Sequence, residues 1–166
     1  FNTNKPILQI IDDTIIAKPK TTKAIEGLGK LFSHVTGNYE NADCLLAHHR
    51  VVGRLSVPIN STPYFKEELF LNNSNEFKSK IDIAIEEILK LKVDTTIPRY
   101  LLVDKWFASA KLMMKALEHG IYTITPLKSN RIIYPHGFKA NIKEFAQSID
   151  TSTLNQVSVQ GKKYVT

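Results

Sequence analysis

The sequence predicts a mixed α/β domain, a sheet of parallel and antiparallel strands covered by helices. Three observations predict it. Apolar runs with strand-like composition end in acids, in 7–16 and again in 99–104. Two segments, 72–92 and 109–120, carry apolar residues at helical spacing. In the second half of the chain these helices alternate with strands, which calls for crossovers over a sheet.

The elements follow in order. ILQIIDDTII (7–16) reads as a buried strand. AKPKTTKAIEGLGK (17–30) is a basic loop with Pro19 and two glycines, and LFSHVTGNYENADC (31–44) holds a short strand and a turn at Gly37-Asn38. LLAHHRVVGRLSVPI (45–59) reads as one or two strands broken near Gly53, and Pro58 and Pro63 put the second at an edge or an end. Phe77, Ile81, Ala84, Ile85, Ile88 and Leu91 mark the first helix, with Asn73 and Glu76 as its expected cap. RYLLVD (99–104) is a short strand ending at an acid. SAKLMMKALEHG (109–120) is a helix with a core stripe of Leu112, Met113, Ala116 and Leu117, stopped by Gly120. IYTITPL (121–127) is a strand, IKEFAQSI (142–149) a short helix, and NQVSVQGKKYV (155–165) a hairpin turning at Gln160-Gly161.

The bulk numbers narrow the function classes. With 166 residues, 43% apolar and 23% charged, the chain can bury a core and is not disordered as a whole. A net charge of +6 and a pI near 9.3 point to an anionic partner, most commonly nucleic acid. Cys44 is the only cysteine, which excludes an intrachain disulfide framework and a Cys-rich zinc site. No apolar run reaches the roughly 18 residues of a membrane-spanning helix, and no signal peptide is visible, so a cytoplasmic protein is expected. The chain begins with Phe1 and ends on GKKYVT, in the manner of an interrupted strand, and is expected to be a fragment.

The acids carry the chemistry. In a mixed α/β sheet, ligands gather at the carboxyl ends of the strands. One predicted strand runs into Asp12-Asp13 and another into Asp104; on neighbouring parallel strands these acids converge. Paired carboxylates without a Cys or His pattern suit a hard cation such as Mg²⁺ or Mn²⁺. The plainer reading is that each Asp caps a turn or the next helix, and sequence spacing leaves both open.

Three blocks bear a resemblance: IIDDTIIAKP, IEGLGKLFSHVTGNYENADCLLAHHRV and YLLVDKWFASAKLMMKALEHGIYTITPLKSNR. In this order, over roughly residues 7–138, they resemble the catalytic domain of bacterial insertion-sequence transposases of the DDE superfamily endonuclease type. The resemblance implies a ribonuclease H-like mixed sheet flanked by helices, incomplete at the C-terminus. It implies a partial catalytic core over 1–138 and the truncated start of an inserted β-rich segment over 139–166. The first catalytic acid maps to Asp13, immediately before Thr14, with Asp12 either helping to hold the metal or pointing to the opposite face. The second maps to Asp104, followed here by Lys105 where the family more often has a small polar residue. The third is a Glu on a helix beyond the LKSNR block and is expected to be absent; Glu144, the one acid on a late helix, falls earlier than the pattern requires.

The same resemblance implies a two-metal Mg²⁺ or Mn²⁺ site, incomplete in this chain, and therefore little or no activity alone. It implies DNA as partner, a homodimer in the full-length protein, and a bacterial, nucleoid-associated location. Lys128 and Arg131 in LKSNR, with Lys18 and Lys105, are the expected phosphate contacts; a solvated basic loop explains them as well. His34, His48 and His49 read as core or strand-surface residues, because adjacent His48 and His49 point to opposite faces. Trp106 and Phe107 pack under the site or stack on a base. The rival readings are a remnant that at most binds DNA and a haloacid-dehalogenase-like phosphohydrolase. The latter needs its two acids separated by one residue, whereas Asp12 and Asp13 are adjacent.

Overall fold

The computed structural model describes residues 5–70, 76–90, 96–150, 152, 154–159 and 162–165, with the side chains of 157–159 and 162–165 left aside. Two compact units make up the chain, Phe1–Pro126 and Leu127–Thr166.

The first unit is built on a mixed sheet. Its strands are β1 (Ile7–Ala17), β2 (Gly29–Ser33), β3 (Asn38–Val52), β4 (Leu55–Tyr64), β5 (Arg99–Val103) and β6 (Ile121–Ile124), with helices α1 (Lys80–Leu89) and α2 (Ala110–Glu118). The order runs β2-β3-β1-β5-β6, and β4 also pairs with β3, beyond β2. β1 is antiparallel to β3 and parallel to β5, and β5 is parallel to β6. The antiparallel meander followed by parallel crossovers is the ribonuclease H-like mixed sheet flanked by helices that the sequence predicts.

Several boundaries differ from the sequence reading. Asn38–Val52 is one strand of 15 residues, undivided near Cys44. It stays extended because β1 pairs with it from Ala42 to Val52 while β2 and then β4 share its other edge. The break expected near Gly53 is the hairpin turn between β3 and β4, where Gly53 takes φ +61°, as the first central residue of a type II′ turn requires. β4 pairs only with β3, so its two prolines lie on an edge strand and remove no ladder bond from the interior. A bulge between His48 and His49 absorbs Ile59.

α1 starts later than its apolar pattern suggests. Ser79 caps it, accepting from the Asp82 amide, and the Asp82 carboxylate accepts in turn from the Ser79 amide. This reciprocal box satisfies two otherwise orphaned donors; Asn73 and Leu91 lie outside the described residues. α2 begins at its N-cap Ser109 and ends before Gly120 at φ +68°, which stops it as expected.

The core lies between one sheet face and these two helices. Ile11, Leu46, Leu101 and Val103 from the sheet meet Ile83, Ala84 and Ile88 from α1, Leu112 and Ala116 from α2, and Phe107 from the turn after β5. Leu117, expected in the core, is 57% exposed. The inward face of α1 is centred on Ile83, Ala84, Glu87 and Ile88, so it includes an acid that apolar periodicity passes over.

The second unit contains β7 (Ile132–Ile133) paired with β8 (Ala140–Asn141), α3 (Ile142–Ser148), and the antiparallel hairpin of β9 (Gln156–Val159) and β10 (Lys162–Val165). The hairpin is the predicted one; its turn residues Gln160 and Gly161 lie outside the described residues.

Candidate metal centre at the strand ends

β1 carries its buried side chains at Ile7, Gln9 and Ile11. The alternation sends Asp13 to this helix-covered face and Asp12 to the other. β5 pairs with β1 in parallel as far as Ile11 opposite Val103. Asp12 is the next residue of β1, which runs on to Ala17, and Asp104 is the residue just past the end of β5, so Asp104 lies beside the acids of β1.

Burial pushes the Asp12 carboxyl above its usual range, and the charges of Asp13 and Asp104 push it the same way, against the hydrogen bond it accepts from the Asp13 amide. The Oδ1 atom of Asp104 accepts from the amides of Trp106 at 2.8 Å and Phe107 at 3.2 Å, closing the turn after β5. Thr125 donates to the Asp104 carbonyl at 3.1 Å, tying the end of β6 to the same corner. The capping reading of Asp104 is thus true of one of its oxygens.

Asp13 has different company. The Lys80 ammonium, at the first position of α1, hydrogen-bonds its Oδ2, and the Cys44 thiol donates to the same oxygen at 3.6 Å. Asp13 is 23% exposed and Lys80 is 14% exposed at the side chain. The ammonium also lies 5.1 Å from the Tyr64 ring centre and 5.3 Å from that of Trp106, where aromatic faces attract a cation. Burial alone would lower the Lys80 pKa, but Asp13 and Cys44 outweigh it and raise it above the usual lysine range. Burial raises the Cys44 thiol above its usual range.

Other predicted residues fall as follows. Lys105 is exposed directly after Asp104, and Lys18 lies 3.9 Å from the Asp43 carboxylate. Trp106 is 51% exposed and stacks edge-on against the fully buried Phe107, so the pair divides between the acid site and the core. Lys128, Arg131 and Glu144 belong to the second unit; Glu144 lies in the first turn of α3, and the Arg131 amide donates to the Lys128 carbonyl at 3.0 Å. Among the described residues, no three His, Cys, Asp or Glu side chains are already arranged to hold a metal ion. Lys80, Cys44 and Tyr64 escaped the sequence reading. Lys80 lies 67 positions from Asp13, and nothing local to either residue signals the pair.

Mid-strand acids on β1 beside an acid just past the parallel β5 are the site that this fold presents. The model of the DDE superfamily endonuclease family matches residues 1–144, and the chain belongs to that family. Among solved structures it is similar to a piggyBac transposase in a synaptic complex with hairpin DNA, at 13% identity and a TM-score of 0.43. That similarity covers 92% of this chain and 28% of the transposase chain, so the present chain spans only a little over a quarter of the other protein's length. No match was found among curated proteins.

Proposed function

We propose that this chain carries the catalytic core of a transposase of the insertion-sequence type, acting on DNA phosphodiesters with divalent metal. The observation that carries the reading is Asp12 and Asp13 on β1 beside Asp104, just past the end of the parallel β5, in a member of the DDE superfamily endonuclease family.

The donor set fits Mg²⁺ or Mn²⁺. It offers hard carboxylate oxygens, and the burial and neighbouring acidic charges that disfavour ionised Asp12 are of the kind a divalent cation relieves. Asp104 with Asp13, or with Asp12 from the opposite face of β1, would hold the metal, which when bound supplies an activated water and a Lewis acid at the scissile phosphate. Asp104 offers its second carboxylate oxygen while the first keeps the turn closed. Lys105, next to Asp104, and Lys18, just past β1, would meet phosphate oxygens from this unit, and Lys128 and Arg131 would do so from the second. The product 3′-hydroxyl would then attack target DNA. A third carboxylate is required for full activity, so this chain alone is read as inactive or weakly active. Family membership leaves the phosphohydrolase reading without support.

Mn²⁺ titration followed by the electron paramagnetic resonance of the free ion tests the site. Asp104→Ala and Asp13→Ala are each expected to lower affinity at least tenfold; unchanged curves in both would sink the assignment. A nicking assay on supercoiled plasmid with Mn²⁺ separates a weak nuclease from a chain that only binds DNA.

A further inference from the structure

We propose that Lys80 is a resident cation that occupies Asp13 and must be displaced before a divalent metal can use that carboxylate; the proposal rests on the metal reading above. Four features of the structure converge on it. The Lys80 ammonium is bonded to Asp13 Oδ2, the oxygen that also accepts from the Cys44 thiol. It is boxed between the rings of Tyr64 and Trp106. The ion pair is mostly shielded from water, where charges attract more strongly than at an open surface. Finally, Lys80 is the first residue of α1, where the helix dipole disfavours a cation. An ammonium kept at a helix N-terminus needs a compensating anion, and Asp13 supplies it.

The box is thus a cation site built from a carboxylate, a thiol and two aromatic faces, with its cation supplied by the chain. A divalent ion can use the Asp13 carboxylate only once the lysine swings away.

The test combines metal binding with lysine reactivity on the intact chain. Lys80→Met is expected to bind Mn²⁺ about tenfold more tightly than wild type, as removing a unit charge a few ångströms from a partly shielded site implies. Lys80→Arg, which keeps the charge, is expected to stay within about twofold. The gain must act through Asp13, so Lys80→Met added to Asp13→Asn should give no further gain over Asp13→Asn alone. A gain that persists in the double variant marks a long-range charge effect and overturns the proposal, as does equal or weaker binding by Lys80→Met. Circular dichroism establishes that each variant is folded.

Acetic anhydride labelling read by mass spectrometry supplies a readout independent of metal affinity. Lys80 should label at least about fivefold more slowly than exposed Lys105, and faster on adding Mn²⁺ or in Asp13→Asn. Equal labelling of Lys80 in wild type and Asp13→Asn overturns the clamp. Protection of Lys80 with no Mn²⁺ bound by any variant overturns the metal reading, and with it the displacement, leaving only a structural ion pair.

Discussion

Two polar clusters lie along α1, and they solve the problem of buried charge in opposite ways. Near the middle of the helix, Glu87 is 2% exposed and faces His48, itself 1% exposed, across 3.8 Å. Its Oε1 accepts from Asn60 and Thr62, each at 2.9 Å, and from Lys90 at 2.6 Å. Burial raises the Glu87 pKa, yet these three donors outweigh it and hold the carboxyl below its usual range. At the start of the same helix Lys80 pairs with Asp13, and the neighbouring Asp12, on the other sheet face, is more open and less satisfied. Asp12 takes a single backbone hydrogen bond and is left with a raised pKa. One helix thus seats a carboxylate that serves the fold and a lysine that restrains a carboxylate available for chemistry. Glu87 is held by the donors on its Oε1, while its buried Oε2 accepts no hydrogen bond among the described residues and faces His48; an open acid such as Asp12 is the one a metal can reach.

The largest break in that comparison is Glu87→Ala. It strips the partner from Asn60, Thr62 and Lys90 beneath the sheet, and should cost roughly 3 kcal/mol or more in urea unfolding. A cost under about 1 kcal/mol would mean that the cluster is not a fold-bearing one.

Acid should act next. Burial holds the His48 imidazole below its usual range, against the pull of Glu87. As pH falls below about 6.5 the unfolded chain takes up a proton that folded His48 does not, so stability declines until the folded pKa is reached. Glu87 adds the same sign further down, because the stability from its depressed pKa is present above the unfolded value and is lost as pH falls through the folded one. Asp12, being raised, has the opposite sign: protonation relieves its repulsion. Urea midpoints of wild type and His48→Gln across roughly pH 7 to 5 should show the slope in the first and a flatter line in the second.

Ser79→Ala removes the cap that fixes where α1 begins, and so the position of Lys80; about 1 kcal/mol is expected from the same unfolding measurement. The smallest effect on stability belongs to Asp12→Asn, whose midpoint should be unchanged or raised while Mn²⁺ affinity falls. A strongly destabilised Asp12→Asn would place Asp12 with Glu87 among the structural acids and erase the contrast.

Much of this architecture was legible because it is local. Prolines at 58 and 63 exclude a central strand and β4 is an edge; Gly53 and Gly120 turn where positive φ is needed. The acids at 12, 13 and 104 announce themselves by ending apolar runs, and alternation alone separates Asp12 from Asp13. Two features misled. Apolar spacing on α1 passed over Ile83 and Glu87, because a buried acid is acceptable only where donors from β4 reach it, and those come from more than 20 residues away. The division of 31–59 near Cys44 failed because pairing along both edges of β3 overrides the local turn signals.

The sequence by itself determined the class of fold, the candidate acids and the DDT and VDKWF blocks that mark the family. Only the tertiary structure decided the neighbours of each acid. The β1–β5 pairing brings Asp104 beside the acids of β1, and the start of α1 sets Lys80 on Asp13. The reason is physical: periodicity fixes the side of a strand on which a side chain lies, but the neighbour on that side comes from a register and a helix end that distant residues establish.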